Sequence, residues 1–417
     1  MYFTMYANSR GEVIEHPGLE MLGRSGGQWI SPAPDEMIPL PRGASLVSLP
    51  GFLPVGISVK QNTECLETEP VSGEPVLAVA ALLPQGFTRT LLPACVSPNQ
   101  NKMPLLGYAA IGFKNGKIYV AAVQSDEHKK WHPVNYNTEG LPARVQKLLK
   151  RYPDNRIYRQ LAHCSLHYGC FTAQNIFYQR WEGGIPTMKN CNANCLGCIS
   201  ENHVGNDSPQ QRLRISPTVQ EITQVGREHL ARAADGIISF GQGCEGEPAL
   251  NADKLAAAIR GIRKDCDQGS ININTNAGFT RGIRRVCDAG LDSMRVTIFS
   301  CVKDHYNEYH RPRSYSLENV QESISYAKDK GLYVSVNLLV FPGFTDRPEE
   351  IDALLEFARS NRVDMIQLRN LNFDPDILLN HFPPGGNPVG ITEFLAILQQ
   401  ELPEVRTGSY SLPYSRV

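Results

Sequence analysis

The stretch Cys191-Asn192-Ala193-Asn194-Cys195-Leu196-Gly197-Cys198 constrains this chain more than any other. It puts three thiols in eight residues, spaced by four and then three, so one short loop can wrap three sulfurs around one face of a small metal site. Three is an odd number for a closed site. A structural zinc ordinarily takes four protein ligands, and an ordinary iron–sulfur cluster takes four cysteines. The residues leave three readings open. Three thiolates on a cubane cluster would leave one iron free for a small molecule. A zinc site would need a neighbour such as His203 to complete it. Or the thiols are unrelated and simply buried.

The other cysteines bear on the compartment. The chain has 11, an odd number. Its first residues, Met1-Tyr2-Phe3-Thr4-Met5-Tyr6-Ala7-Asn8, lack the basic and apolar regions of a secretory leader. Together these argue against a disulfide framework and for a reducing, cytoplasmic location with thiol-ligated metal. A net charge of -1 supplies no general attraction to nucleic acid or to an anionic membrane. No apolar stretch approaches the roughly 20 residues that span a bilayer.

From residue 183 onward, apolar or β-branched runs alternate with longer helical patterns. Strands are predicted at 185–189, 236–240, 270–275, 293–299, 333–340 and 365–371. Helices are predicted from the start Ser216-Pro217-Thr218 to about 234, with Pro217 in its first turn, and at 251–264, 280–289, 316–330, 348–361 and 391–402, with Gly290 and Gly331 at C-caps. Six βα units in series predict a parallel sheet with helices outside it, curled into a barrel or part of one. Residues 1–140 read instead as a β-rich accessory domain. Its clearest element is a hairpin, 107–113 and 118–123, around Asn115-Gly116; further strands are predicted at 2–6, 45–48 and 76–82. A mainly helical connector fills 141–182, and 381–417 hold a last helix and a tail. The connector carries Arg144, Lys147, Lys150, Arg151, Arg156 and Arg159, read as a solvated helix face or a site for RNA phosphates.

The spacing C-x3-C-x2-C at Cys191, Cys195 and Cys198 resembles the signature of radical S-adenosylmethionine (SAM) enzymes. The resemblance covers roughly 183–380. It implies an α/β fold, a partial (β/α)6 TIM-like barrel, with the β-rich domain as an accessory. It also implies a [4Fe-4S] cluster on the three cysteines, with SAM chelated to the open iron. Gly246-Glu247-Pro248 is similar to the family's turn after the second strand, whose carboxylate receives the SAM ammonium. Asn276 lies in a third-strand ending like the Thr-Asn-Gly of many members. Ser300 and Arg311 match a serine-ended fourth strand and following arginine, implying contacts to the SAM ribose and carboxylate. The resemblance suggests ribose hydroxyls as partners of Asn337. On the sixth strand Gln367 and Arg369 form a polar face that should point inward, where an arginine needs an anionic partner. Each of these has a plainer reading as a cap, a strand neighbour or a structural ion pair. Cys244 and Cys301 follow the second and fourth strands and are hydrogen-donor candidates or small core residues. Cys65, Cys95, Cys164 and Cys170 could ligate an auxiliary cluster. The chain departs from the family at Gly197, where an aromatic that packs on adenine is usual, so adenine packing must come from Phe341 or the sixth strand.

The implied activity is reductive cleavage of SAM by an oxygen-sensitive cluster fed by reduced flavodoxin or ferredoxin. The radical formed would abstract hydrogen from an unactivated C–H bond. The fourth-strand resemblance and the large accessory domain favour a peptide or protein substrate over RNA or a small metabolite. The competing class is a non-catalytic zinc-binding or scaffold protein.

Overall fold

The computed structural model describes residues 1–127, 129–201 and 208–414. Its C-terminal half is built on a parallel sheet of seven strands that lie side by side in chain order. They are Arg180–Gly184, Ala234–Phe240, Ser270–Thr275, Ser293–Ile298, Tyr333–Val340, Met365–Asn370 and Arg406–Gly408. This is the partial TIM-like barrel the alternation predicts, with two corrections. The first strand is Arg180–Gly184 rather than 185–189; beyond it only the Ile185 N–H still reaches the sheet, at Ser239 O (2.9 Å). The sequence reading placed it too late because 180–184 hold one bulky apolar residue, Trp181, and end in two glycines. The seventh strand was not foreseen, because three residues are too few to show a period.

Successive side chains on a strand face opposite ways, and the alternation sorts them here. Ile271, Ile273, Met294, Val296, Ile298, Val334, Val336 and Ile366 join the core beneath the helices. The alternate positions are polar and face the barrel interior. Ser239 Oγ donates to Glu182 Oε1 (2.6 Å), Asn272 Nδ2 to Ser239 Oγ (3.1 Å), and Ser293 Oγ to Asn272 Oδ1 (3.0 Å). Arg295 Nη2 also reaches Glu182 Oε1 at 3.2 Å.

Helices cover the outer face: α1 (Leu141–Arg151), α2 (Arg156–His167), α3 (Phe171–Tyr178), α4 (Val219–Leu230), α5 (Ala252–Arg263), α6 (Thr280–Cys287), α7 (Lys303–His310), α8 (Leu317–Asp329) and α9 (Pro348–Ser360). Helix α4 is shorter than predicted at both ends, starting at Val219 and stopping at Leu230, since Ala234 already starts a strand. Thr218 caps α4 through the Glu221 N–H (3.2 Å) in a reciprocal capping box, which leaves Pro217 just outside the helix. The short α7, absent from the sequence reading, proves central to the site. The basic connector is partly consumed in docking: Arg151 pairs with Glu228 and Arg156 with Glu221, both on α4.

Residues 3–124 contribute a twelve-stranded antiparallel sheet and a three-stranded one. The Asn115-Gly116 hairpin is present, with Lys114 opposite Lys117 and both turn residues at positive φ (50° and 75°). Its first arm is interrupted, however. Tyr108–Ala109 pairs with Leu77–Leu82, and only Ile111–Lys114 pairs within the hairpin. This domain docks on the C-terminal ends of the fifth and sixth strands. The Gly26 N–H donates to Pro342 O (2.9 Å). The buried Arg89 donates from Nη2 to Leu371 O (2.7 Å) and from Nη1 to Tyr108 O (3.0 Å), stitching the two sheets together. Asn370 accepts from Arg89 N–H (3.0 Å) and donates to Phe87 O (3.0 Å), as a strand neighbour would.

At the joint, Gly343 has φ +83°, and a Cβ there would lie 1.8 Å from Gly26 N. Gly343→Ala should therefore destabilise the chain by about 2 kcal/mol or more, and should expose the 1–140 domain to limited proteolysis before the barrel. A second expectation concerns pH. His229 is buried on α4, with Nε2 on Trp181 O (2.8 Å), and burial lowers its pKa to about 4. A depressed folded-state pKa means the unfolded chain takes up the proton first, so stability falls as pH drops from about 6.5 toward 4, by about 3 kcal/mol from this group. The His229→Gln variant should lose correspondingly less stability than the wild type between pH 7 and pH 4 in urea denaturation.

Candidate functional site

The cysteine loop leaves the sheet between two backbone clamps. On one side the Gly246 N–H donates to Met188 O (2.7 Å) and the Glu247 N–H to Asn190 O (2.8 Å). A Cβ on residue 246 would sit 2.0 Å from Asn190 O, so this approach requires glycine. On the other side the end of α7 runs antiparallel to the loop. The Leu196 N–H donates to Tyr309 O (2.9 Å), the Asn194 N–H to His310 O (3.1 Å), and the Arg313 N–H to Asn192 O (2.7 Å). The cysteines are thus held in place by main-chain bonds that do not involve their own sulfurs.

A carboxylate that the sequence reading missed secures the first clamp. Glu245 is buried, and its Oε1 accepts from the Gly241 (2.7 Å) and Gln242 (2.8 Å) N–H groups. Its Oε2 accepts from the Thr187 (2.6 Å) and Met188 (2.8 Å) N–H groups and from the Thr187 hydroxyl (3.0 Å). Burial pushes its pKa up to about 7, against the pull of these donors. The neighbouring Glu247, also buried, accepts on Oε1 from Ala249 N–H (2.9 Å) and Thr275 Oγ1 (2.5 Å), and on Oε2 from Asn276 N–H (2.8 Å). It caps the short Pro248–Asn251 turn, and burial raises its pKa. A carboxylate has about four acceptor positions, so Oε2 retains one. Asn276 Nδ2 donates to Asn192 Oδ1 (2.7 Å), which ties the third-strand ending to the cysteine loop.

The three thiols lie close enough to influence one another electrostatically. Burial raises the pKa of Cys191 to about 11 and that of Cys195 further, so neither becomes a thiolate without a bound cation. Hydrogen-bond donors nevertheless aim at the sulfurs: His310 Nδ1 lies 3.4 Å from Cys195 Sγ, and Arg212 Nη2 and Ser200 Oγ each lie 3.7 Å from Cys198 Sγ. Cys195, costly to ionise alone yet met by a donor, fits a metal-bound thiolate. Among the described residues no three His, Cys, Asp or Glu side chains gather closely enough to hold a metal ion. His203, the fourth ligand of the zinc alternative, lies outside the described residues.

The remaining candidates divide. Gly246, Glu247 and Asn276 adjoin the loop, as above. Ser300 is buried and turns its hydroxyl to the Val302 N–H (3.0 Å) and to Glu350, which also holds His305 at 2.5 Å. Arg311 is left-handed (φ 45°) and half-exposed, bound to Glu308 at 2.9 Å and His381 at 3.3 Å. In the interior, Arg369 Nε donates to Asn337 Oδ1 (3.1 Å) and Nη2 to Gln367 Oε1 (3.2 Å), and the buried carboxylate of Glu182 lies near enough to act on its charge, so its hydrogen bonds go to amides and its anionic neighbour is Glu182. Cys301 packs against the core and burial raises its pKa. Cys244 is buried with its thiol hydrogen-bonded to that of Cys164 on α2. The four auxiliary-cluster candidates fall into two groups: Cys65 and Cys95 flank the strand Leu53–Ser58, while Cys164 and Cys170 sit in the helical connector.

Gly197 acquires a reason. A Cβ there would meet the Tyr309 hydroxyl at 2.5 Å, so the ring of Tyr309 fills the space in which a side chain at 197 would lie. Tyr309 stacks on Phe299 (centroids 4.4 Å apart) within a cluster that includes Leu196, Phe341, Phe344, Leu371 and Leu92. Phe341 is fully buried in that cluster.

Residues 185–358 match the family model of the radical SAM superfamily. Among solved structures, a radical SAM methyltransferase from Sphaerobacter thermophilus shares 17% identity over 54% of this chain and 63% of its own, with a TM-score of 0.40. Methylornithine synthase (PylB) shares 13% over 63% and 77%, at a TM-score of 0.38. Streptococcus suis SuiB, bound to precursor peptide SuiA, shares 14% over 54% and 52%, at 0.34; the chain thus spans about half the length of SuiB.

The Glu245 clamp is testable. In Glu245→Gln either amide orientation leaves two backbone N–H groups facing an NH2, which should cost about 2 kcal/mol or more in urea denaturation.

Proposed function

We propose that in this chain, a member of the radical SAM superfamily through residues 185–358, Cys191, Cys195 and Cys198 hold a [4Fe-4S] cluster that cleaves SAM reductively to begin radical chemistry on a peptide or protein. The observation that carries the reading is the cysteine loop itself: three thiols clamped by main-chain bonds at the ends of the parallel strands, with N–H and O–H donors directed at two of the sulfurs. The chemistry that a bound cluster supplies is one electron to the SAM sulfonium, and the radical so formed takes hydrogen from a C–H bond.

The chain's own residues then orient and enclose. Glu247, with an acceptor position left on Oε2, receives the SAM ammonium. Gly246, Asn276, Ser300, Arg311, Asn337 and Gln367 contribute further contacts to SAM. Arg369, whose hydrogen bonds go to uncharged amides, takes an anionic group of SAM or substrate. Cys301 and Cys244 remain hydrogen-donor candidates; Cys244 would first have to leave Cys164. The accessory domain meets the fifth and sixth strand ends, and its Leu92 and Leu105 pack in one cluster with Leu196 of the cysteine loop. That placement supports a role in excluding water and guiding substrate, with an edge of its sheet as the surface for an extended chain. The electron comes from reduced flavodoxin or ferredoxin in the cytoplasm, and the cluster is oxygen-sensitive. No described helix is long and apolar enough to cross a membrane.

Anaerobic reconstitution with iron and sulfide, followed by SAM and dithionite, should yield 5′-deoxyadenosine by mass spectrometry. Replacing any one of Cys191, Cys195 and Cys198 with Ala should reduce the yield to that of the protein-free control while the fold is retained. Stoichiometric zinc with no iron–sulfur absorbance would overturn the proposal in favour of a structural metal site.

A further inference from the structure

His310 is the last residue of α7 and is almost fully buried (1% exposed). Its two ring nitrogens face different partners. Nε2 lies 3.2 Å from the backbone nitrogen of Phe299, at the end of the fourth strand. A backbone N–H can only donate, so Nε2 must be the lone-pair nitrogen. A neutral imidazole has one such nitrogen, and Nδ1 therefore carries the hydrogen. Nδ1 lies 3.4 Å from Cys195 Sγ. The tautomer is thus fixed by the fold, and the N–H points at sulfur.

The aim is rigid from both ends. The main chain of the same turn receives the Leu196 N–H on Tyr309 O (2.9 Å) and the Asn194 N–H on His310 O (3.1 Å), one on each side of Cys195. The ring also lies against Tyr306 (centroids 4.4 Å) and edge-on to Tyr309 (5.0 Å). A histidine that served only to fill space would not need its donor nitrogen toward a thiol and its acceptor toward a strand-end amide.

We infer that His310 is a positioning residue that donates its Nδ1–H to the sulfur of Cys195 and so raises the reduction potential of the cluster. The inference rests on the cluster assignment proposed above. A hydrogen bond to a ligating thiolate draws off negative charge, which favours the reduced, more negative state. Only one of the three thiols receives a histidine among the described residues, so the effect falls on one corner of the cluster.

The test uses the full chain, reconstituted anaerobically, as wild type, His310→Phe and His310→Gln. The cluster is titrated with EPR detection, and iron and sulfide are counted in each sample. His310→Phe should hold a full cluster that is about tenfold less reduced at a fixed potential, a shift of about 59 mV to the negative for a one-electron couple. His310→Gln, which keeps a neutral N–H donor, should recover most of that shift; a purely space-filling role would favour Phe over Gln. Wild type carrying 15N-histidine should show a histidine nitrogen coupled to the reduced cluster by pulsed EPR, a readout that needs no folded variant. An unchanged potential in a cluster-loaded His310→Phe, or no histidine coupling in the wild type, would overturn the inference. A wild type that assembles no [4Fe-4S] cluster would instead sink the enzymatic reading, and the role of His310 with it.

Discussion

The site depends on one buried carboxylate. Glu245 gathers four backbone N–H groups, two from the turn after the second strand and two from the segment that leads out of the first. Parallel strands offer no hairpin to join their ends, so something else must fix how the chain leaves the sheet. Here a side chain does it, by satisfying donors that the strand ends would otherwise leave unpaired. With residues 187–188 pinned, Gly246 and Glu247 can complete the join to Met188 and Asn190, and the thiols begin one residue later.

The other wall of the loop is α7. Its C-terminal turn gives up carbonyl groups to the loop, presents the ring of Tyr309 beneath Gly197 and turns His310 toward Cys195. Each is a use of a helix end, where carbonyls lack intrahelical partners. The positive φ of Arg311 then ends the helix and lets the chain double back along the loop. The polar barrel interior and the apolar outer face follow from the same two-residue alternation. One side is filled by Ile, Val and Met under the helices, and the other by Glu182, Ser239, Asn272, Arg295 and the Asn337–Arg369–Gln367 chain.

Much of this was legible in the residues. The strands Ser270–Thr275 and Tyr333–Val340 were read to the residue, because long β-branched runs bounded by turn residues leave little freedom. Three cysteines at a fixed spacing identified the loop. The misses share a cause. The first and seventh strands and α7 are short or polar, with too little pattern of their own, and tertiary pairing stabilises them. Glu245 was passed over for Glu247, since two acidic residues two apart look alike in sequence. Arg89, at position 89 of a β-rich domain, gave no sign that it would reach Leu371.

The sequence by itself determined the chemistry available: which thiols share a loop, where small residues permit close approach, and which segments have the period of a strand or a helix. These are local properties, set by residue type and spacing. Only the tertiary structure decided which partners those groups meet. That Cys195 faces His310, that Cys244 faces Cys164, that Arg369 hydrogen-bonds to amides and that Gly197 must yield to Tyr309 all arise from contacts between residues far apart in the chain. A buried polar group takes whichever partner the packing supplies, and spacing along one chain does not reveal it.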